Sequence, residues 1–342
     1  MTITQQKKWV VLASVGLLLI SFFLGVAMGS VPIAFTDALA ALIGKASSSR
    51  IDLVIEQIRL PRALLAAMVG ALLGICGAAT QGLFRNPLAD PSLIGVTGGA
   101  SMGATATIFF ASSIGSLAGL SGLAVVSIGA FLGGCASVVL VYSLATTRQG
   151  TSVATMLLAG IAITAIAGSL TSLVEYFADN EMLRRISVWR MGGLEGASYN
   201  RLWIAAGASI FVLTLLPRYS TALNALLLGE SEARHLGLKV QSIKVILIGL
   251  VALGVGISVA LAGTISFVGL VTPHIMRLLV GPDHRLLLPL SALGGAILLL
   301  LSDVIARTII APIELPVGLV TALLGAPFFI SLLRRRHEFA MQ

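Results

Sequence analysis

The sequence predicts an all-α polytopic membrane protein with about ten transmembrane helices, and three observations support this fold class. First, 57% of the 342 residues are hydrophobic and only 11% are charged, whereas an ordinary soluble domain has about 25% charged residues. Second, a soluble fold of this length has too little interior to hide that much apolar surface. Third, the 37 glycines suit close helix packing in lipid, and the low aromatic content without period-two alternation argues against an outer-membrane barrel.

The apolar segments predict where the helices lie, since a hydrocarbon core of about 30 Å requires about 20 apolar residues per helix. The first segment follows two lysines and resembles a signal peptide, but it is too long for one, so we predict a membrane helix. The third segment is rich in glycine and the eighth is short, so we expect other helices to enclose both. Residues 1–342 are predicted to form a single transmembrane domain. The ten segments are Trp9–Met28, Ala63–Gln81, Ser92–Phe110, Leu120–Leu144, Val153–Val174, Leu202–Leu216, Ile243–Thr264, Val271–Val280, Leu286–Ile305 and Pro316–Leu333.

The distribution of basic residues predicts that both chain ends are cytoplasmic. In that orientation thirteen of the 22 Lys and Arg residues lie on the inner side, including Lys7, Lys8 and Arg334–Arg336. The net charge of +8 therefore describes a membrane inner face, and we expect no nucleic-acid partner. Cys76 and Cys135 both lie inside apolar segments and match no disulfide or metal spacing, so we expect no metal and no cofactor.

Arginines flank the second predicted helix at its outer end. Pro61 suits the first turn of a helix, which would place Arg59 and Arg62 at its N-terminus. Positive charge there is unfavourable with the helix dipole, so helix stability does not explain the pair. Two interpretations stay open: anchors solvated by lipid headgroups, or docking points for acidic side chains of an external protein. Arg307 ends the ninth segment on the same face, where a base suits the helix C-terminus.

The longest inner connection, about residues 217–239, predicts a short amphipathic helix at the inner face. Glu230 and Glu232 favour its first turn, and Gly237 is suited to its C-terminal end. Such a helix is either a connector among lipid headgroups or a rigid contact for a cytosolic partner. The residues assigned to it are Gly229, Glu230, Glu232, Ala233, Arg234, Leu236 and Gly237.

A turn follows the second segment at the inner side. Asn86 precedes Pro87, which disfavours a helical conformation, so Asn86, Pro87 and Leu88 are predicted to form a turn. Asp90 is predicted to cap the third segment, with Pro91 at its first position.

The fifth segment carries small and polar residues that we predict to lie along one side, namely Thr155, Gly160 and Thr164. They serve either helix packing or the lining of a pathway, and the sequence does not choose between these roles.

Several absences narrow the function. The chain has no GxxxxGK[ST] motif, so it is not expected to bind ATP by a P-loop, and no HExxH zinc helix. Ionisable residues in the middle of spans are nearly absent, which argues against a proton-coupled carrier. A GxSG match ending at Gly122 gives Ser121 as a weak candidate for an intramembrane protease nucleophile, with His274 as its base.

Four long stretches, Arg59–Val96, Leu227–Leu238, Gly263–Arg307 and Glu314–Arg335, resemble the FecCD-type permeases. These are transmembrane subunits of type II ABC importers for ferric siderophores, haem and cobalamin. The resemblance implies the type II ABC importer permease fold, with ten helices per subunit and a pair of subunits, usually a homodimer, around a central pathway. It also implies two ATPase subunits at the inner face, a periplasmic binding protein outside, and location in the bacterial inner membrane.

The resemblance also implies roles for the residues singled out above. Arg59, Arg62 and Arg307 match arginines that pair with glutamates of the binding protein. The segment Glu230–Leu238 matches the coupling helix that contacts the ATPase. The turn Asn86–Leu88 matches a cytoplasmic gate, the fifth segment matches the helix that lines the pathway, and a second gate lies near Thr151–Ala154.

The predicted function is therefore a transport subunit without an ATPase site of its own. It imports an iron chelate, with ferric siderophore as the first expectation and haem or cobalamin as the alternative. A secondary transporter or channel and an intramembrane protease stay open as more remote alternatives.

Overall fold

The computed structural model describes residues 3–45, 48–110, 122–148 and 150–340, and most of these residues are helical. A two-residue hairpin, β1 (Thr146–Thr147) and β2 (Gly150–Thr151), is antiparallel with Thr146 opposite Thr151. The α-helices are α1 (Ile3–Ala27), α2 (Phe35–Leu42), α3 (Ser49–Leu53), α4 (Leu60–Leu83), α5 (Val96–Phe109), α6 (Gly122–Ala145), α7 (Val153–Phe177), α8 (Asn180–Met191), α9 (Tyr199–Leu215), α10 (Ser220–Leu228), α11 (Glu230–His235), α12 (Val240–Ala262), α13 (Val268–Val280), α14 (His284–Thr308) and α15 (Val317–Ala340).

Each of the ten predicted segments contains a helix. Within the described ranges, seven helical stretches are long and apolar enough to cross a membrane. Helix α13 and the described apolar part of α15, Val317–Ser331, are shorter, and α5 has 14 residues. The eighth segment begins earlier than expected, because α13 starts at Val268 and holds Pro273 in its interior.

The second span differs from the prediction, because it does not begin at Pro61. Helix α3 continues through a π-helical turn, Val54–Arg59, into α4, so one helix runs over Ser49–Leu83. In the π-turn the Leu60 N–H donates to the carbonyl of Ile55, five residues back. This wider turn accommodates the proline ring, which would otherwise clash with the preceding turn. Arg59 and Arg62 therefore lie inside a helix, and the dipole argument does not apply to them.

Helix α4 is the centre of the bundle and packs against α14, α13, α12 and α9. Its glycines permit backbone-to-backbone contact. A Cβ atom at Gly77 would overlap the carbonyl oxygen of Gly269 on α13, and one at Gly74 would overlap the carbonyl oxygen of Ser291 on α14. In lipid, such close approach replaces the hydrophobic effect as the source of helix association.

A second tightly packed pair is formed by α5 and α6. A Cβ atom at Gly103 on α5 would overlap the carbonyl oxygen of Gly129 on α6. Asp90 does not cap α5 as predicted; its carboxylate accepts from the Ser92 N–H and caps a separate 3₁₀ turn, Pro91–Ile94. Helix α5 starts only after Gly95, at a backbone φ of 83°.

Candidate docking, gate and coupling sites

The bundle has two charged ends, which we call outer and inner after the orientation predicted from the basic residues. At the outer end an arginine cluster joins α4 and α14. The Asp303 carboxylate lies between two arginines, with Oδ1 2.9 Å from Arg62 Nε and Oδ2 3.0 Å from Arg307 Nε. Arg62 Nη1 also lies 2.6 Å from Glu314 Oε2. With Arg59, these residues form the arginine cluster.

Two arginines of this cluster cap the C-terminus of α1. Arg59 Nη1 donates to the Ala27 carbonyl at 2.5 Å, and its Nη2 donates to the Val31 carbonyl. Arg307 donates to the carbonyls of Met28 at 2.9 Å and Gly25 at 2.8 Å. The last carbonyls of a helix have no partner within the helix, and positive charge is favourable there. The cluster therefore fastens the first span to the second and the ninth.

All three arginines are buried, being at most 7% exposed. This environment matches neither a headgroup anchor nor a freely exposed docking point, and the docking role stays a prediction. Asp303 and Glu314 were missed as partners. The signal for Asp303 was present, because it is an acidic residue in an otherwise apolar segment, four positions before Arg307. Glu314 had no local signal.

The predicted gate turn is present at the inner end of α4. Asn86 Oδ1 accepts from the Leu88 N–H at 3.0 Å, and the Asn86 carbonyl accepts from the Ala89 N–H at 3.1 Å. Arg85 has a φ of 50°, and both Arg85 and Asn86 are exposed. The turn is thus ordered by its own side chain and open on one side.

The three residues predicted along one side of α7 do not share a face. Gly160 packs against the Leu93 carbonyl, and Thr164 lies over Gly98 of α5. Thr155 lies in the first turn, where its hydroxyl bonds the Ser152 hydroxyl at 2.9 Å. The expectation was wrong for Thr155, because nine residues correspond to about two and a half helical turns and place it opposite Thr164.

The predicted amphipathic helix at the inner end is α11, Glu230–His235. It ends as expected: the Leu238 N–H donates to the Ala233 carbonyl at 3.1 Å, across a Gly237 with φ of 83°. Ala233 is buried, whereas Glu232 and Arg234 are exposed, as is Leu236. Helix α10 precedes α11, separated from it only by Gly229.

Behind α11 lies an inner polar network that the sequence did not reveal. Lys244 Nζ lies 2.5 Å from Glu230 Oε1 and donates to the Thr151 carbonyl at 2.8 Å. Gln241 accepts from the Thr151 N–H at 2.9 Å and donates to the Thr151 hydroxyl at 2.6 Å. In the charge distribution, Lys244 is one of the thirteen bases assigned to the inner side. A basic residue and an amide three positions apart at the start of an apolar helix were the available signal.

The candidate protease residues and the expectation of no metal are the remaining predictions to compare with the structure. Ser121 lies outside the described residues, and the His274 ring packs edge-to-face on Phe328. In the described ranges, no group of three or more His, Cys, Asp or Glu side chains is placed to hold a metal ion.

Comparisons with known proteins all indicate the same family. Residues 17–335 match the FecCD transport family. The chain is 44% identical over 281 residues to the haemin transport system permease protein of Yersinia pestis, covering 82% of this chain and 83% of that protein. It is 41% identical over 329 residues to the vitamin B12 import system permease protein of Escherichia coli O127:H6, covering 96% and 95%. A cobalamin import system permease protein of Halobacterium salinarum is 40% identical, with coverage of 90% and 80%.

A solved structure has the same architecture. It is described as an inward-facing conformation of a metal-chelate type ABC transporter, and it superposes with a TM-score of 0.81 at 34% identity. The superposition covers 95% of this chain and 98% of that one.

Proposed function

This chain belongs to the FecCD transport family, and we propose that it is the permease subunit of an ABC importer that moves a large metal chelate from periplasm to cytoplasm. ATP is bound and hydrolysed by a separate partner, since the sequence carries no P-loop. The whole chain acts as one transmembrane domain in the bacterial inner membrane, with both ends in the cytoplasm.

The observation that carries this proposal is the uncovered surface of α7. In its most apolar window only 17% of the residues are buried, against 78% in the span Ser49–Leu83. Helix α7 therefore lies at the side of the subunit. A second copy of the chain placed against this side would enclose a pathway between two α7 helices. Ile161 and Thr164 on the exposed part of α7 would face this pathway, whereas Gly160 is used to pack α7 onto its own subunit.

The inner end supports the assignment of an ATPase partner. The side chains of Arg234 and His235 on α11 are 65% and 77% exposed, while Ala233 is fully buried. A short helix held firmly on one side and exposing charge on the other is suited to a groove on a soluble subunit. Two ATPase subunits would then serve a permease dimer, and the exposed Asn86 turn would act as the gate beside them.

The outer end supports docking of a periplasmic binding protein in which an acidic side chain of that protein competes with Glu314 for Arg62. The side chain of Glu314 is 27% exposed, whereas that of Asp303 is 1% exposed. An acidic side chain of the binding protein would therefore replace Glu314 on Arg62 and leave the bond to Asp303 in place. Arg59 and Arg307 would contribute positive potential from beneath the surface.

The cargo belongs to the class of large metal chelates. Relatives named as haemin and vitamin B12 permeases are 44% and 41% identical to this chain, so similarity does not choose between these cargoes. Ferric siderophore, the first expectation from the sequence, stays a prediction.

The test is transport by the assembled complex. The chain is to be co-expressed with its ATPase and binding protein, reconstituted in proteoliposomes, and offered haemin, cyanocobalamin or a ferric hydroxamate. We expect uptake of one of these that requires both partners and internal ATP. Uptake that is unaffected by omission of the ATPase would contradict the proposal and favour a secondary transporter.

A further inference from the structure

The inner polar network links the hairpin to α11 and α12, two consecutive helices that lie far from the hairpin in the sequence. Lys244 belongs to α12, Glu230 to α11, and Thr151 to the hairpin that immediately precedes α7. One ammonium group contacts the carboxylate of Glu230 and the main-chain carbonyl of Thr151 at 2.5 Å and 2.8 Å. The Lys244 side chain therefore contacts both the hairpin and the coupling helix.

The hairpin itself is held firmly, so it can pass on a displacement. The two contacts of Gln241 fix both the N–H and the hydroxyl of Thr151, and the hydroxyls of Thr146 and Thr151 lie 2.9 Å apart. Ser152 then caps α7 by accepting from the Thr155 N–H. Movement of Thr151 consequently moves the first turn of α7.

Burial strengthens the contacts of Lys244. Lys244 is 3% exposed, so water gives little competition for its two partners. A cleft of about 540 Å³ is lined on one side by hairpin residues and on the other by Glu230 and Arg234. Beyond Lys244 the two elements are therefore separated by open space, which leaves room for relative movement.

We propose that Lys244 is a positioning residue that transmits displacement of the coupling helix α11 to the hairpin Thr146–Thr151, and so to the inner end of the pathway helix α7. This inference rests on the proposed function, because it requires a soluble partner that moves α11. When the partner shifts α11, Glu230 moves the ammonium group, and the ammonium group carries the carbonyl of Thr151 with it. Exposed residues of α11 bind the partner, and Lys244 converts that contact into a change at the gate.

The test measures the gate without needing the cargo. Ala154, exposed in the first turn of α7, is replaced by cysteine in a Cys135→Ser background, where Cys76 is buried. Its rate of modification by a membrane-impermeant maleimide is followed in the complex with the ATPase, with and without ATP. We expect nucleotide to change this rate severalfold when Lys244 is intact.

Lys244→Met keeps the length of the side chain and removes both contacts. We expect ATP hydrolysis to persist while the modification rate no longer responds to ATP. Lys244→Arg should restore the response in part, because it keeps the charge. Lys45→Met, at an exposed outer position, is the matched control and should leave the response unchanged.

Glu230→Gln provides a second variant in case Lys244→Met does not assemble, since it keeps the Lys244–Thr151 bond and weakens the link to α11. It also weakens the pair between Glu230 and Arg234 within α11. A full nucleotide response in either assembled variant overturns the proposal. The proposal is also overturned if both variants assemble poorly and their ATP hydrolysis and maleimide response fall by the same factor as the amount of complex. That result would describe a lysine with a purely structural role. If the unmodified complex itself hydrolyses no ATP and shows no response, the proposed function fails instead.

Discussion

The arginines at the two ends of the bundle differ in burial. At the outer end, three arginines are at most 7% exposed and each forms hydrogen bonds or ion pairs within its own chain. At the inner end, the side chain of Arg234 on α11 is 65% exposed. Both ends were predicted to meet a partner protein. The outer charges serve the fold, because they cap α1 and join α4 to α14. The charges of Arg234 and His235 on α11 face solvent, and the buried charge behind them, Lys244, contacts both α11 and the hairpin.

The difference shows that a charge at the membrane boundary has to be assessed by its burial and not by its position in the sequence. A buried guanidinium needs a partner, so its loss is expected to reduce stability. An exposed one contributes little to stability and is free to bind another protein. Four substitutions, ordered by expected size, test whether this division between the two ends is correct.

The largest effect is expected for Asp303→Asn. It removes the carboxylate shared by Arg62 and Arg307, so that Arg62 keeps Glu314 while the buried charge of Arg307 loses its carboxylate partner. This loss is expected to cost about 3–5 kcal/mol of unfolding free energy. Thermal unfolding of the purified protein in detergent measures it, with Glu56→Gln at an exposed position as control. An unchanged unfolding temperature would mean that the arginine cluster does not hold the fold together.

Arg59→Ala is expected to be the next largest. It removes the donors to the Ala27 and Val31 carbonyls, and hydrogen bonds from charged groups contribute about 1.5–3 kcal/mol. We also expect faster proteolysis between α1 and α2, where the chain loses its anchor. Arg50→Ala, exposed on α3, is the control. Equal proteolysis of the two variants would contradict the capping role.

Glu314→Gln should separate the structural from the docking role at the outer end. The pair is partly exposed, so we expect a stability change of less than about 1 kcal/mol. Affinity for the binding protein should rise, because Arg62 Nη1 loses its internal competitor. Titration of the immobilised complex at two salt concentrations measures this, and the gain should shrink at high salt. A fall in affinity would indicate that Glu314 itself takes part in binding.

Arg234→Ala is expected to have the smallest effect on stability, within about 0.5 kcal/mol, since this side chain is exposed. Co-purification of the ATPase should nevertheless weaken severalfold. Arg184→Ala, exposed on α8 at the other end, is the matched control and should leave co-purification intact. If the Arg234 variant retains the ATPase fully, the exposed charge of α11 does not bind this partner.

The sequence was sufficient to predict features that depend on interactions between neighbouring residues. The short helix α11 was predicted with its first turn at Glu230 and its end at Gly237, because capping preferences act within a few residues. The Asn86 turn was also predicted, from the restriction that Pro87 imposes. The start of the second span was missed, since a π-turn let the helix continue through Pro61.

By itself the sequence determined the membrane class, the ten helical segments and the helix at the inner face, because hydrophobic run length and capping are properties of neighbouring residues. Only the tertiary structure decided the partners of the charges. Arg62 and Asp303 are 241 positions apart, and Lys244 and Thr151 are 93 apart. No local pattern links such pairs; they meet because glycine contacts bring α4 and α14 together and because α12 passes behind the hairpin.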